Sequence, residues 1–299
     1  MNLISFALIA GIFTLALTTI TRSPRAWRKL KKDRSALFSG AVIVVYALAA
    51  ITVSGGIIAT ETDIQVGEKF LAPCAQHLLG TDRLGRDIFT RVVYANKIAF
   101  MVGIVSATAA VIIGTILGGL AGYFGGWVDS VIVWFYSTIQ SIPYLLLLIA
   151  LTWIAGKGIN GLYVAFCATY WVGPCRLIRG EVLKLRNAEY IQSAHAMGMG
   201  NLRILFRHII PNTLHISLVN FALLFIGAIK SEVILSYLGL GVQGEPSWGT
   251  MIDQARAELI NGFYWQIGGA TVAMFGLVLA FNIFTDALQD AFDPKAQKP

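Results

Sequence analysis

The stretch RLIRGEVLKLRNAEYIQSAHAMGMGNLRILFRHIIP, residues 176–211, is a basic interruption between two apolar spans, and the organisation of the chain follows from it. It carries six Lys or Arg residues and two acids. Four apolar residues at spacings of three predict a helix over residues 181–193: Val182, Leu185, Ala188 and Ile191. Gly198 and Gly200 then predict a turn, because glycine adopts backbone conformations that other residues resist.

A second helical face follows the glycines. Leu202, Leu205 and Phe206 continue the apolar pattern, and Pro211 can begin the next span, where a missing N–H costs little. The predicted unit is therefore helix, glycine turn, helix, lying across one mouth of a membrane protein. The spacing alone fits an amphipathic connector on the lipid surface equally well, whereas the patterned basic charge favours a docking element for a partner.

The rest of the chain is unusually apolar. Hydrophobic residues make up 56% of it and charged residues 13%, against about 25% charged in a typical soluble protein. A bilayer core needs about 20 apolar residues for each helix, and six uncharged runs meet or approach that length: residues 35–60, 98–128, 130–156, 158–175, 209–229 and 259–285. Since helices satisfy their own backbone groups in lipid, we expect an all-α polytopic membrane protein with six core transmembrane helices.

The uncharged residues 1–21 predict an extra helix before this core. The basic residues follow this run instead of preceding it, which argues against a signal peptide; an interfacial helix or a processed segment are the alternatives. The chain thus divides into an N-terminal apolar segment with a basic linker, residues 1–34, and a transmembrane domain, residues 35–299.

Charge distribution predicts the orientation. With residues 22–34 and the stretch 176–211 on the cytoplasmic side, 15 Lys or Arg residues lie inside and 7 outside, and Lys230 lies within a span. Cytoplasmic loops carry such an excess, so the C-terminus is expected to be cytoplasmic. The same rule accounts for the net charge of +7 without a nucleic-acid partner.

The basic stretch resembles the conserved loop of ABC importer permeases. That loop has the form EAA, three residues, Gly, nine residues, Ile-x-Leu-Pro; here Gly198 and Pro211 match it in type and spacing, while Gln192 and Ser193 depart from the triplet that Ala194 completes. The motif E-Y-x-x-A-A-x-A-x-G of the C-type subunit of oligopeptide and dipeptide importers is similar to the run that begins at Glu189 and Tyr190.

Three further blocks resemble that branch, in order along residues 25–295. HLLGTDRLGRD at residues 77–87 is similar to its HxLGTDxxGRD segment. LSYLGLGV at residues 235–242, followed by PSWG at 246–249, is similar to its LSFLGLG…PSWG segment. Residues 280–294 resemble its C-terminal signature.

The resemblance implies a type I ABC importer permease fold in the bacterial inner membrane, forming half of a pathway for peptides, or for nickel or another small solute. It implies four kinds of partner: a homologous permease subunit, two cytoplasmic ATPase subunits, an external solute-binding protein and the bilayer. ATP and Mg would bind the ATPases, and this chain would bind no cofactor or metal. The residues implied in ATPase coupling are Glu189, Tyr190, Gln192, Ser193, Ala194, Gly198, Arg203, Arg207 and Pro211.

Two ionisable residues, Lys230 and Glu232, fall within the fifth core span. Such residues are costly in lipid and are functional candidates by default. They are two apart, so they point to different sides of a helix. Glu232 is expected to face the pathway or a gate, or else to stabilise a turn or pair with the partner permease. Lys230 has no clear counterpart in the family pattern.

The external segment contributes a charge block and a tryptophan: Asp82, Arg86, Asp87 and Trp248. The family resemblance places this segment near the contact with the binding protein. A salt-bridged cap on the next helix is the alternative for the charges, and an anchor at headgroup level is the expectation for Trp248.

Two rival classes fit less well. A membrane enzyme would need a catalytic set, yet the sequence contains no HExxH, no GxSxG and no P-loop. A secondary transporter would usually carry an internal repeat with broken helices, and no repeat is visible. We therefore expect a non-catalytic subunit.

Overall fold

The computed structural model describes residues 24–59 and 62–292. Those residues form no β-strand beyond a single bridge between Thr81 and Asp87. The first six helices are α1 (Pro24–Lys32), α2 (Arg34–Ser54), α3 (Ile88–Phe124), α4 (Gly126–Gln140), α5 (Tyr144–Ala155) and α6 (Ile159–Thr169). The next six are α7 (Val172–Leu185), α8 (Glu189–Ala196), α9 (Asn201–Ile204), α10 (Leu214–Tyr237), α11 (Trp248–Ile260) and α12 (Trp265–Phe292).

Four helical stretches are long and apolar enough to cross a membrane: α2, α3, Asn201–Tyr237 and α12. The stretch Asn201–Tyr237 joins α9 to α10 through a π-helical turn, Leu205–Ile209, and a 3₁₀ turn, Ile210–Thr213. The bent pair α4 and α5 makes a fifth if it is counted as one span. The all-α, multi-span prediction is confirmed, and the count of six core helices is not reproduced. The helix predicted over residues 1–21 lies outside the described residues.

The third helix begins ten residues earlier than its uncharged run. Asp87 caps it by accepting a hydrogen bond from the Thr90 amide at 2.7 Å. Arg91 and Lys97 therefore lie inside the helix. Their charges ended the apolar run in the sequence, although a cap marks a helix start more directly than hydropathy does.

The run 130–156 is not one helix. It bends by 92° between α4 and α5, at residues 141–143. Pro143 has no N–H to donate, and proline disfavours the α conformation of the residue before it. The next run, 158–175, is also divided, between α6 and α7 at Tyr170 and Trp171.

The long α3 is the centre of the packing and lies against both α7 and α10. Three glycines four apart, at positions 114, 118 and 122, allow α7 to approach closely: a Cβ on Gly118 would lie 2.4 Å from the Cys175 carbonyl oxygen. On the α10 and α12 side, the rings of Phe225 and Phe281 stack with centroids 4.3 Å apart. α3 is thus packed closely against α7, and α10 against α12.

Candidate functional site

The basic loop, defined as residues 176–211, forms a folded unit with its own apolar core. The single helix predicted over residues 181–193 is wrong, because α7 ends at Leu185 and α8 begins at Glu189. Ala188 between them has an extended backbone, with φ −69° and ψ 145°. The four predicted apolar residues still meet: Val182 and Ile191 are fully buried, and Leu185 and Ala188 pack against them.

Gly198 forms the turn after α8. Its φ is +77°, and a Cβ there would meet nothing within 4 Å. Its amide donates to the His195 carbonyl at 2.9 Å, and the Met199 amide donates to the Ala194 carbonyl at 3.2 Å. Helices commonly end in this way at a left-handed glycine. The predicted turn is present, and glycine is required there by backbone conformation alone.

Five large apolar side chains of the basic loop are exposed. Leu177 lies on α7, and we call the other four, which follow α7, the loop face: Tyr190, Met197, Leu202 and Phe206. Met197 is 72% exposed and Leu202 is 58% exposed. Charged residues of the loop that were predicted to couple to an ATPase, Glu189, Arg203 and Arg207, are exposed and form no ion pair within the described part of the chain. A surface of apolar groups with unpaired charges is suited to a protein partner.

The remaining residues predicted for coupling divide between surface and core. Gln192, Ser193 and Pro211 are exposed, and the first two bond to backbone carbonyls of their own loop. Ala194 is 2% exposed and packs inside the loop core. Ala194 therefore shapes the loop without reaching its surface.

Polar contacts tie the basic loop to the helices behind it. Arg179 on α7 donates to both carboxylate oxygens of Asp129 on α4, at 2.5 and 2.7 Å. Arg186 donates to the Gly122 carbonyl at 3.2 Å, and the Tyr123 hydroxyl lies 3.1 Å from His195 Nε2. These contacts join the loop to α3 and α4.

At the opposite end of the bundle, the predicted charge block is an internal network. The Asp82 carboxylate is fully buried and accepts hydrogen bonds from the amides of Leu84 and Arg86 and from Arg86 Nε, the last at 2.7 Å. Arg91, 2% exposed, donates to the Thr62 carbonyl at 3.1 Å. Asp87 caps α3, and Asp82 forms an ion pair with Arg86 beside it, so the block matches the alternative of a salt-bridged cap that the sequence left open.

Two residues of this end were missed by the sequence. Gln254 on α11 accepts from Arg91 at 3.1 Å and from Arg86 at 3.3 Å. Glu258 on the same helix accepts from the Arg83 amide at 3.0 Å. Two polar residues four apart on one helix were the available signal, since they share a face.

Burial and hydrogen bonding oppose each other at two of these carboxyl groups. Burial raises the pKa of Asp87, but hydrogen bonds from Thr90 and His77 outweigh it, so the pKa lies below its usual value. Burial also raises the pKa of Glu258, and the Arg83 amide opposes this only in part, so the pKa lies above its usual value.

The expectation that Trp248 is a headgroup anchor is wrong. Its side chain is 1% exposed, and its indole N–H donates to the Val92 carbonyl at 3.1 Å. A buried indole needs such a partner. Trp248 therefore fixes the start of α11 against α3 inside the core.

Glu232 and Lys230 have different surroundings. Glu232 is 1% exposed and accepts from the Ser236 hydroxyl at 2.6 Å, and that hydroxyl also accepts from the Val242 amide at 3.2 Å. In this conformation Glu232 does not reach a pathway and instead stabilises the turn after α10. Lys230 is exposed on α10.

A hydroxyl cluster that the sequence did not predict joins three elements. The Tyr144 hydroxyl at the start of α5 lies 2.7 Å from the Tyr170 hydroxyl and 2.9 Å from Ser231 Oγ, and Tyr170 lies 3.1 Å from Ser231. We call these residues the hydroxyl trio. It brings together the break between α4 and α5, the break between α6 and α7, and α10.

Comparison with known proteins agrees with this architecture. Residues 114–298 match the family described as binding-protein-dependent transport system inner membrane component. Residues 22–73 match the N-terminal TM domain of oligopeptide transport permease C.

Individual relatives cover most of the chain. A dipeptide transport system permease protein of Bacillus subtilis (strain 168) is 37% identical over 276 residues, 91% of this chain and 86% of the relative. An oligopeptide transport system permease protein of the same organism is 37% identical over 76% of this chain and 74% of the relative. A glutathione transport system permease protein of Pectobacterium atrosepticum is 40% identical over 75% of this chain and 74% of the relative.

Proposed function

The chain belongs to the family of binding-protein-dependent transport system inner membrane components, which are ABC importer permeases, and we propose that it forms half of a pathway for peptides. Relatives named for dipeptide, oligopeptide and glutathione transport support a small peptide as solute. Nickel or another small solute is the alternative within the same family.

The loop face carries the proposal. It is an exposed apolar surface flanked by the unpaired charges of Glu189, Arg203 and Arg207, on a loop tied to α3 and α4. In the proposed arrangement, this face seats on a cytoplasmic ATPase subunit, and the basic loop and the C-terminus lie on the cytoplasmic side.

The chain itself supplies no catalysis in this scheme. ATP and Mg bind the two ATPase subunits, and their closure draws the loops of this chain and its homologous partner together. The contacts of Arg179 and Arg186 carry that movement into the membrane helices. The pathway then opens to the external side, where the solute-binding protein delivers the peptide.

The external end receives the binding protein. Since Asp82 is buried and Asp87 caps α3, these carboxylates keep the segment folded and do not contact the partner. The exposed side chains around them, including Asp63 and Leu84, offer the contact surface instead.

Substitution of the loop face tests the proposal. Met197→Glu and Leu202→Glu alter exposed side chains, so the chain is expected to fold and insert. Purified complexes of either variant should lose the ATPase subunits, whereas Leu84→Glu, at an exposed apolar residue of the opposite end, should retain them. ATP-dependent peptide uptake into proteoliposomes should be lost in parallel. Unchanged ATPase recovery from both loop variants, or wild-type uptake without any ATPase subunit, would contradict the proposal.

A further inference from the structure

The break between α4 and α5 leaves backbone groups unpaired inside an apolar stretch. Within the described residues, the carbonyl groups of Gln140, Ser141 and Ile142 accept no hydrogen bond, and Pro143 has no N–H. Hydrocarbon cannot satisfy such groups, so irregular backbone at membrane depth is tolerated only against protein or a water-filled cavity. The exposed residues 140–146 are thus poorly suited to face lipid.

The hydroxyl trio places this break beside α10. Tyr144, 47% exposed, follows the break directly and bonds to Ser231 of α10. A Cβ on Gly227, one turn earlier on α10, would lie 3.9 Å from the Tyr170 hydroxyl. The side of α10 that carries Gly227 and Ser231 therefore packs against Tyr170 and against Tyr144, the residue that follows the break.

Lys230 borders that side of α10, three residues after Gly227. Exposed residues of α10 recur at helical spacing on one stripe: Leu223, Lys230, Ile234 and Tyr237. The ammonium group of Lys230 forms no ion pair or hydrogen bond within the described part of the chain. At a rise of about 1.5 Å per residue, it lies roughly 10 Å below the end of the helix at Tyr237. A lysine at such a depth usually faces a water-filled cavity or an opposite charge.

We propose that Lys230 and the break line the translocation pathway, and that the Lys230 ammonium binds the terminal carboxylate of the peptide. The free carbonyls of residues 140–142 accept hydrogen bonds from the N–H groups of the peptide. A peptide carries both donors and an anionic end, so one solute complements both features. This inference rests on the proposed function and adds to it a position where the solute is recognised inside the membrane.

The first experiment compares two peptides of one sequence, with a free or an amidated C-terminus. Wild type, Lys230→Met, Lys230→Arg and Lys157→Met are reconstituted with all partner subunits, and ATP-dependent uptake of each peptide is expressed relative to wild type. This ratio removes any preference of the binding protein. Lys157, in the turn between α5 and α6, is an exposed lysine outside the spans and serves as the matched control.

Lys230→Met should lower uptake of the free-carboxylate peptide by about tenfold, the loss expected for one charge-assisted hydrogen bond. It should leave the amidated peptide unchanged, Lys230→Arg should restore most of the loss, and Lys157→Met should affect neither peptide. Equal losses of uptake for both peptides would overturn the inference. Loss of the partner permease from the Lys230→Met complex would also overturn it, because Lys230 would then pair with an acidic residue of that subunit. If the wild-type complex imports neither peptide, that result contradicts the proposed function itself and not only the role of Lys230.

Thiol labelling tests the break separately. In a background in which Cys74, Cys167 and Cys175 are serine, Ser141→Cys should react with a membrane-impermeant thiol reagent, and peptide with ATP should slow the reaction. Ile154→Cys, 80% exposed near the end of α5, is the control and should show no protection by peptide. An unreactive Ser141→Cys in every state would show that lipid or protein covers the break, and would overturn the inference.

Discussion

Replacing Gly198 by valine is expected to weaken the coupling between the ATPases and transport without preventing insertion. The φ of +77° costs an L-residue about 1–2 kcal/mol, and a β-branched side chain is especially unfavourable there. A Cβ at this position has open space, so the whole effect arises from the backbone. The hydrogen bonds that close the turn, from the amides of Gly198 and Met199, are the contacts at risk.

The size of the effect follows from the fraction of loops that keep the turn. A penalty of 1–2 kcal/mol lowers the ratio of loops with the turn to loops without it by a factor of about 5–30. Since the apparent Kd rises as the competent fraction falls, the Kd for the ATPase subunits should rise by up to the same factor. Transported peptide per ATP hydrolysed should fall with it.

Gly200 provides the matched control. A Cβ there also meets nothing within 4 Å, but the φ is −67° and the ψ is 144°, which any residue adopts. The assay titrates ATPase subunits onto each variant in nanodiscs and then measures uptake and ATP hydrolysis in proteoliposomes. Equal Kd values for Gly198→Val and Gly200→Val would refute the reasoning, because both positions have room for a Cβ and only Gly198 has a left-handed φ.

Three further outcomes are expected. Asp82→Asn removes a fully buried counter-charge and should cost about 3–5 kcal/mol of stability. Asp63→Asn, at a side chain that is 63% exposed, should cost less than about 1 kcal/mol. Equal shifts of the thermal midpoint would contradict the stabilising role of the buried charge network. Arg179→Met should cost about 1.5–3 kcal/mol and lower transport per ATP, and exchanging Arg179 with Asp129 should recover part of both; no recovery would argue against a direct pair. The folded-state pKa of Asp87 is lowered, so its stabilisation is present above the unfolded pKa and is lost as pH falls through the folded pKa. In Asp87→Asn, the thermal midpoint should therefore fall less steeply as the pH is lowered than it does in wild type. An unchanged fall would show that Asp87 does not cause the loss of stability in acid.

Local patterns predicted the basic loop well. Its apolar spacing identified the residues that meet in the loop core, and Gly198 identified the turn. Both depend on short-range geometry, which a sequence carries directly. The break before Glu189 escaped because the spacing of three continues across it, and periodicity does not report the extended backbone at Ala188.

Long-range contacts were harder to predict. The amphipathic character of Trp248 suggested an interface, yet the Val92 carbonyl from another helix satisfies its N–H inside the core. Glu232 is likewise satisfied by Ser236, one turn later on its own helix, and that spacing of four was a usable signal. The bend at residues 141–143 was hidden because hydropathy measures composition and not the pairing of backbone groups.

Two helices, α4 and α7, run between the basic loop and the hydroxyl trio, and through them we expect the break to take part in the proposed coupling. α7 runs for about 20 Å from Val172, two residues after Tyr170, to Leu185 inside the loop, and α4 runs for a similar length from Gly126 to the break before Tyr144. The paired charges of Asp129 and Arg179 join these helices to each other. A displacement of the loop must therefore move both helices together. Within the described residues, the carbonyls of residues 140–142 accept no hydrogen bond. We therefore expect the break to yield to such a movement, at the position that we assign to the solute.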